Sequence, residues 1–312
     1  MTGCAAVGTN GLILVEPRAA VGDADPTFDS SSERYPFLYE TMRASKPKRY
    51  SKLIFGTRSR KTARNTKGSY VPRGAIGLQL GPTELDAWLP RMNGATESAN
   101  VFPLGSTYPY FDVMMSLDNA VTYFRACQVA AYVFQSEASD GEDEDEILNL
   151  QLVLIARSVD YSKSLPVTLP AVTEGTGYTP YTHSMLAAEL DSTSFDMDKF
   201  RLVVDNGFRP KTRNSLTPNC VYAGPRKVNL EVTTPFTSSL WTKAQLAYSA
   251  QDGIPGLFTY TSGAKSVSFG FPALHNSEEP PVIRSHEEIP MNLNLWAGDT
   301  STDLEMEVTN VP

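Results

Sequence analysis

The stretch Phe200-Arg201-Leu202-Val203-Val204 decides the fold, because Phe200, Leu202 and Val204 recur at a period of two. The same alternation returns in four later runs, at Val228–Val232, Val267–Phe271, Met291–Leu295 and Leu304–Val308. The intervening residues are mostly polar or small, which is typical of antiparallel strands with one buried face. Five such strands within about 110 residues, separated by glycine and proline, predict a β-sandwich or barrel.

The N-terminal half carries weaker versions of this pattern. Apolar runs at 75–80 and 111–117 predict two strands, and longer runs at 123–134 and 147–156 are joined by an acidic stretch. We expect the two longer runs to form an extended hairpin with a charged tip. Residues 1–40 contain many turn-forming residues and predict an irregular arm or long loop rather than a packed element.

Two short helices interrupt the strands. Pro82–Leu89 begins with a helix-start order of residues and places Leu85, Trp88 and Leu89 on one face. We expect Pro90 to limit its continuation. The second helix, over 237–251, places Leu240, Trp241, Ala244 and Tyr248 on one face and ends before Gly253.

The two helices belong to an internal repeat. Arg64, Tyr70, Trp88 and Gly94 have counterparts at offsets of 149 to 159 residues, namely Arg213, Tyr222, Trp241 and Gly253. Coincidence among common strand and turn residues is the alternative, but a period near 150 residues also matches the usual domain length. We therefore predict an N-terminal arm (1–40), a first β domain (41–165), a linker (166–186) and a second β domain (187–312), each domain having one short helix.

The composition excludes several classes of protein. The chain has 312 residues, 41% hydrophobic and 20% charged, which is enough for a packed core and argues against disorder. No stretch approaches the ~20 apolar residues that cross a bilayer. The formal charge of −8 argues against a general nucleic-acid binder, and three widely spaced cysteines do not form a disulfide framework. We expect synthesis in a reducing cytosol.

Motifs for catalysis are absent from the sequence. None of His183, His275 and His286 has the spacing of a zinc helix, and no nucleophile elbow, phosphate-binding loop or dinucleotide fingerprint occurs. The acidic stretch lacks the spaced glycine of a calcium loop. We therefore predict no catalytic, cofactor-binding or metal-binding residues, and an enzyme is the least favoured class.

Charge is segregated along the chain. Eleven basic residues and no acidic ones lie between Thr41 and Thr83, whereas seven of the ten residues at 137–146 are acidic. Solvated loops, or ion pairs within the chain, are the simplest explanation, and direct DNA binding by the basic stretch is the least favoured. A further explanation is electrostatic complementarity between copies of the chain, which would set the register and orientation of one copy against the next. It predicts subunit contacts at Arg58, Arg60, Lys61, Arg64, Glu142, Asp143, Glu144 and Asp145.

Several segments resemble the tail tube (major tail) proteins of long non-contractile-tailed bacteriophages. In the first half these are Gly68-Ser69-Tyr70 leading into the strand at 74–80, and the helix end Met92-Asn93-Gly94. In the second half they are Phe200–Phe208 and Gly224–Val228 with the following strand to Pro235-Phe236. The likeness spreads over most of the chain without one diagnostic signature. The long basic stretch and the acidic loop are not features expected throughout the family.

The resemblance implies a structural virion protein with a tube domain present twice. Chains would close into rings, which stack into a hollow tube with long hairpins on its inner wall. Two domains per chain imply a trimeric ring, and partners would include other tail proteins such as the tape measure and terminator. The genome would pass through the lumen, and an acidic wall would repel its phosphates. Location in the virion tail and synthesis in the host cytoplasm follow.

Two other classes of protein remain open at this stage. A capsid decoration or head–tail joining protein would share the β-rich composition and the lack of catalysis. A β-sandwich carbohydrate-binding module would need exposed aromatic side chains, for which Tyr178, Tyr181, Tyr222 and Trp241 are available.

Overall fold

The computed structural model describes residues 11–44, 48–50, 65–79, 81–117, 120–138, 146–172, 180–277, 290–299 and 305–312. The protein is mainly β, as the sequence predicts, and its described part contains two α-helices of 12 residues each. The elements of the first half are β1 (Gly11–Arg18), β2 (Glu33–Tyr35), β3 (Tyr39–Glu40), β4 (Lys48–Tyr50), β5 (Asn65–Lys67), β6 (Arg73–Leu78), α1 (Pro82–Asn93), β7 (Val101–Pro103), β8 (Tyr110–Leu117), β9 (Ala120–Glu137), β10 (Asn149–Ile155) and β11 (Ser158–Asp160).

The second half begins with a 3-10 turn at His183–Met185. Its further elements are β12 (Leu186–Leu190), β13 (Thr193–Phe195), β14 (Lys199–Asp205), β15 (Phe208–Lys211), β16 (Cys220–Ala223), β17 (Lys227–Pro235), α2 (Ser238–Ser249), β18 (Ile254–Ser262), β19 (Lys265–Asn276), β20 (Pro290–Ala297) and β21 (Glu307–Val311).

The strand pairings of the first half recur in the second. In the first half β1 pairs with β2 and β8, β9 pairs with β8 and β10, and β6 pairs with β10 and β3. In the second half β12 pairs with β13 and β18, β19 pairs with β18 and β20, and β17 pairs with β20 and β14. A helix follows β6 and β17 alike. The two halves thus share one topology, while the boundaries of two separate domains stay a prediction.

One sheet runs through both halves. Residues 131–137 of β9 pair antiparallel with the whole of β14, and this joins the strands in the order β3-β6-β10-β9-β14-β17-β20-β19. A second link is the pairing of β7 with β21. The buried apolar side chains of both halves form one continuous core cluster on one face of this sheet. We call these eight strands the joined sheet.

The alternation in the second half correctly predicts its strands. Phe200, Leu202 and Val204 are all fully buried, and so are the alternate residues of β17, β19 and β20. The long runs of the first half form the predicted hairpin, because β9 and β10 pair antiparallel. Its tip at 139–145 and Leu304 of the last run lie outside the described residues.

The expectation of an irregular arm over 1–40 is wrong for residues 33–35 and 39–40, which form β2 and β3, and above all for residues 11–18. They form β1, which pairs with β8 along its whole length and buries Ile13, Leu14 and Val15. One face of β1 packs on the main core, whereas Leu12 and Leu14 on the other face pack against Phe28. A strand that is buried on both faces has no polar alternation, so its period is hidden in the sequence. Residues 19–32 contain turns and loop, as expected.

The expected limit at Pro90 is also wrong, because α1 continues to Asn93. Proline removes one backbone hydrogen bond, but burial of Leu89 and Met92 and a left-handed cap at Gly94 stabilise the last turn. The Gly94 N–H donates to the Pro90 carbonyl, which closes the helix. The second helix agrees with its prediction: it begins after Thr237, whose side chain accepts a hydrogen bond from the Leu240 N–H.

Candidate subunit interface

The eight charged residues predicted for subunit contacts all lie outside the described part of the chain. Arg58, Arg60, Lys61 and Arg64 belong to 51–64, and Glu142, Asp143, Glu144 and Asp145 belong to 139–145. Their role therefore stays a prediction. Within the described ranges, no group of three His, Cys, Asp or Glu side chains could hold a metal ion. No helix in these ranges is long and apolar enough to span a membrane.

A buried serine–histidine pair lies between the two halves. The His183 Nε2–H donates to the Met197 carbonyl at 2.7 Å, so Nδ1 accepts from the Ser136 hydroxyl at 2.8 Å. The Tyr260 hydroxyl lies 2.7 Å from the same Ser136 oxygen, and burial raises the pKa of Tyr260. Because all three side chains are buried and a carbonyl stands where a hydrolase has a carboxylate, this cluster links strands instead of reaching a substrate.

The junction between the halves is built around Asn206, which directly follows β14. Its Nδ2 donates to the carbonyls of Met92 and Val129 at 3.0 and 2.9 Å, and its Oδ1 accepts from the Tyr108 hydroxyl at 2.9 Å. The side chain is only 2% exposed. One residue of the second half thus fixes the end of α1, the middle of β9 and the loop before β8.

Further polar contacts surround this amide. The Arg226 guanidinium of the second half donates to the Tyr108 hydroxyl at 2.5 Å and to the Gly105 carbonyl, and it forms an ion pair with Glu305 at 3.5 Å. Burial raises the pKa of Tyr108, and Arg226 opposes this shift by favouring the phenolate. The β21 strand extends the junction, because the Asn310 amide donates to the Pro82 carbonyl at 2.8 Å and to the Asp86 carboxylate.

The face of the joined sheet that points away from the core is mainly polar, although it also carries Val133, Val203 and the exposed Trp296. Its side chains alternate with the buried ones, and many are amides: Gln135, Asn149, Gln151, Asn229, Asn292 and Asn294. Six of its charges occur in cross-strand neighbours of opposite sign. Lys199 pairs with Glu137 at 2.7 Å and Arg201 with Glu231 at 2.7 Å, while Asp205 stands opposite Lys227. A seventh charge, the exposed Arg73 at the start of β6, stands opposite Ile155. We call this face the polar wall.

Each half has an exposed apolar surface. On the first half, Leu38 and Tyr39 are 48% and 42% exposed beside β3, which pairs with β6 alone among the described strands. On the second half, Leu246 and Tyr248 of α2 are 42% and 55% exposed. We call these surfaces the β3 edge and the α2 surface. Sequence reasoning missed both, because Tyr248 was assigned to the packed face of its helix and Leu38 belonged to the expected arm.

The four aromatic residues named for a sugar-binding face give it little support. Tyr181 is buried, Trp241 packs partly against the core, and Tyr178 lies outside the described residues. Tyr222 is exposed, and the Arg213 guanidinium donates to its hydroxyl.

Comparison with known proteins bears on nearly the whole chain. Residues 8–295 match the family model described as phage tail tube protein. No curated protein matches the chain.

Proposed function

This chain belongs to the phage tail tube protein family, and we propose that its copies close into rings of three that stack into the hollow tube through which the genome leaves the virion. Membership of the family makes the protein a structural component of the virion tail that assembles with itself and with other tail proteins. The ring, its copy number and the passage of DNA are the proposed steps. Tape measure and terminator proteins are the tail partners that we expect.

The joined sheet carries this proposal. Eight neighbouring strands in one chain become 24 in three copies. Strands ~4.8 Å apart and tilted by about 40° then close a barrel of roughly 40–50 Å between opposite backbones. Side chains narrow this opening, and the remaining lumen is wider than a DNA duplex. The shared topology of the halves supports three copies, because six equivalent units would surround the lumen.

The polar wall suits the inside of such a tube. A basic wall would bind phosphates tightly and in a salt-dependent manner, whereas neutral amides and cations that stand opposite anions attract DNA weakly. Arg73, which stands opposite Ile155, is the exception among the described charges of this face. The resemblance implied an acidic lumen, but six of the described charges of this face balance and Arg73 adds one cation. Our proposal is therefore a wall that is close to electrically neutral over its described part.

Negative-stain electron microscopy across a series of protein and salt concentrations tests the assembly. We expect hollow tubes or stacked rings, and native mass spectrometry should give rings with three times the mass of the 34.2 kDa chain. Closed shells or single capping rings would contradict the proposal and favour a decoration or head–tail joining protein. Monomers at every concentration would also contradict it.

A charge variant tests the wall independently of ring formation. Glu231→Gln leaves the Arg201 guanidinium without its 2.7 Å partner, so three unpaired cations appear in each ring. We expect these tubes to retain duplex DNA in low salt and to release it as salt rises. The matched double variant Arg201→Gln/Glu231→Gln restores the wild-type net charge of the wall and should release DNA as the wild type does. Equal release by all three proteins would refute the assignment of this face to the lumen.

A further inference from the structure

Within the chain, the junction between the halves consists of two contacts, each between an element of the first half and an element of the second. The first half contributes β9 beyond Cys127, where the pairing with β8 ends, and the helix α1. The second half contributes β14, which pairs with that part of β9, and β21, whose Asn310 binds α1. On β9, the strands β8 and β14 occupy one side, while β10 and β11 occupy the other.

The shared topology assigns a counterpart to each of these surfaces in the opposite half. The counterpart of β9 is β19, and its pairing with β18 ends at Leu274 as that of β9 with β8 ends at Cys127. The counterpart of α1 is α2. The counterpart of β14 is β3, and that of β21 is β11, because β11 and β21 follow the β10 and β20 strands and pair with β9 and β19. Within one chain β3 and β19 are the two end strands of the joined sheet.

The counterparts differ from the junction elements in what covers them. Eight of the twelve residues of α1 are buried, but only Leu240, Ala244 and Ala247 of α2 are. At the eleventh position of each helix, Met92 is 0% exposed and Tyr248 is 55% exposed. Likewise β14 has a strand on both sides, whereas β3 pairs with β6. The surfaces that the junction covers in one half are therefore open in the other.

We propose that the β3 edge of one copy docks on the β19 strand and the α2 surface of the next copy. This inference rests on the proposed ring and names its subunit interface. Strand β3 then continues the joined sheet across the boundary as β14 does within the chain, and Leu38 brings apolar area to Leu246 and Tyr248. The Tyr39 ring lies over Gly77 on the side of the polar wall. The contact is heterologous, since each copy offers a different surface to each of its two neighbours. The ring closes when every boundary between copies repeats the geometry of the junction within the chain.

Two single variants test this interface. Leu38→Lys puts a positive charge on the β3 edge, and Tyr248→Lys puts one of the same sign on the α2 surface. Both side chains are exposed, so the circular dichroism spectra should match the wild type, while the melting temperature falls only by what the trimer contributes. In sedimentation velocity we expect wild-type trimers and monomers of either variant alone. The control Leu257→Lys changes a leucine of similar exposure, 43%, on β18, and should still form trimers.

The mixture of the two variants gives the decisive result. The variant Tyr248→Lys keeps an intact β3 edge, and the variant Leu38→Lys keeps an intact α2 surface, so one sound interface forms between them. The other interface would set two lysines against each other. The mixture should stop at dimers, with twice the 34.2 kDa of one chain. Trimers of either variant alone, or no dimers in the mixture, would overturn this interface but leave the ring standing. A wild type that stays monomeric at every concentration would overturn the proposed ring itself.

Discussion

Replacing Asn206 with alanine tests the junction between the two halves. The amide makes three hydrogen bonds of 2.9 to 3.0 Å, to the Met92 and Val129 carbonyls and to the Tyr108 hydroxyl. Alanine leaves these three groups without their partner in a site from which water is excluded, because the Asn206 side chain is 2% exposed.

The expected loss follows from these contacts. A hydrogen bond contributes about 1 kcal/mol net, and a buried polar group that loses its partner costs about 1–3 kcal/mol. Part of the cost relaxes when Arg226 keeps its own bond to the Tyr108 hydroxyl. We therefore expect Asn206→Ala to lower the free energy of unfolding by about 3–5 kcal/mol, which corresponds to a fall in Tm of roughly 6–10 °C for a chain of this size.

Urea unfolding followed by circular dichroism measures this loss. Asn229→Ala is the matched control, because Asn229 is an exposed asparagine of β17 and its change should stay within about 0.5 kcal/mol. A second variant, Asn206→Asp, places a carboxylate against two carbonyl oxygens, which raises the pKa of the new carboxyl group. Its folded state should therefore lose stability as pH rises above about 4. A loss below 1 kcal/mol for Asn206→Ala would refute the assigned role.

Three further predictions concern the first half and the thiols. Asp112→Asn should lower the free energy of unfolding by about 3–5 kcal/mol in urea, because it leaves the buried Arg18 guanidinium without the carboxylate that it contacts at 2.7 and 2.8 Å. Deletion of residues 1–40 removes the buried strand β1 and should yield a protease-sensitive chain; a protease-resistant truncation would show that β1 is dispensable. Maleimide labelling mapped by mass spectrometry should modify Cys220 and spare Cys127, whose burial raises its pKa; equal rates would contradict that burial.

The sequence by itself determined the strands that have one solvent-exposed face and one buried face. In β14 and β17 the alternation of apolar and polar residues indicates which side chains face the core. The spacing of Phe200, Leu202 and Val204 was therefore sufficient to predict β14. The helix α2 was equally predictable, from its N-cap residue Thr237 and the spacing of its apolar residues. The family resemblance came from scattered segments and agrees with the match over residues 8–295.

The candidate interface was much less predictable. Sequence reasoning chose charged residues that lie outside the described structure, and it passed over Leu38 and Tyr248. The sequence does not show whether another element covers an apolar residue. Tyr248 and Met92 therefore could not be distinguished before the tertiary structure was known. Likewise Asn206 followed by Gly207 was an ordinary turn signal, and its three buried partners come from distant segments.

Only the tertiary structure decided which strands meet. β1 was hidden because both of its faces are buried, and α1 passed Pro90 because packing outweighed one missing hydrogen bond. The pairing of β9 with β14, which joins the halves, left no trace in the sequence. Its physical reason is that strand edges bind through backbone N–H and C=O groups, which nearly every residue possesses. The choice of partner therefore depends on where the packed core places each edge.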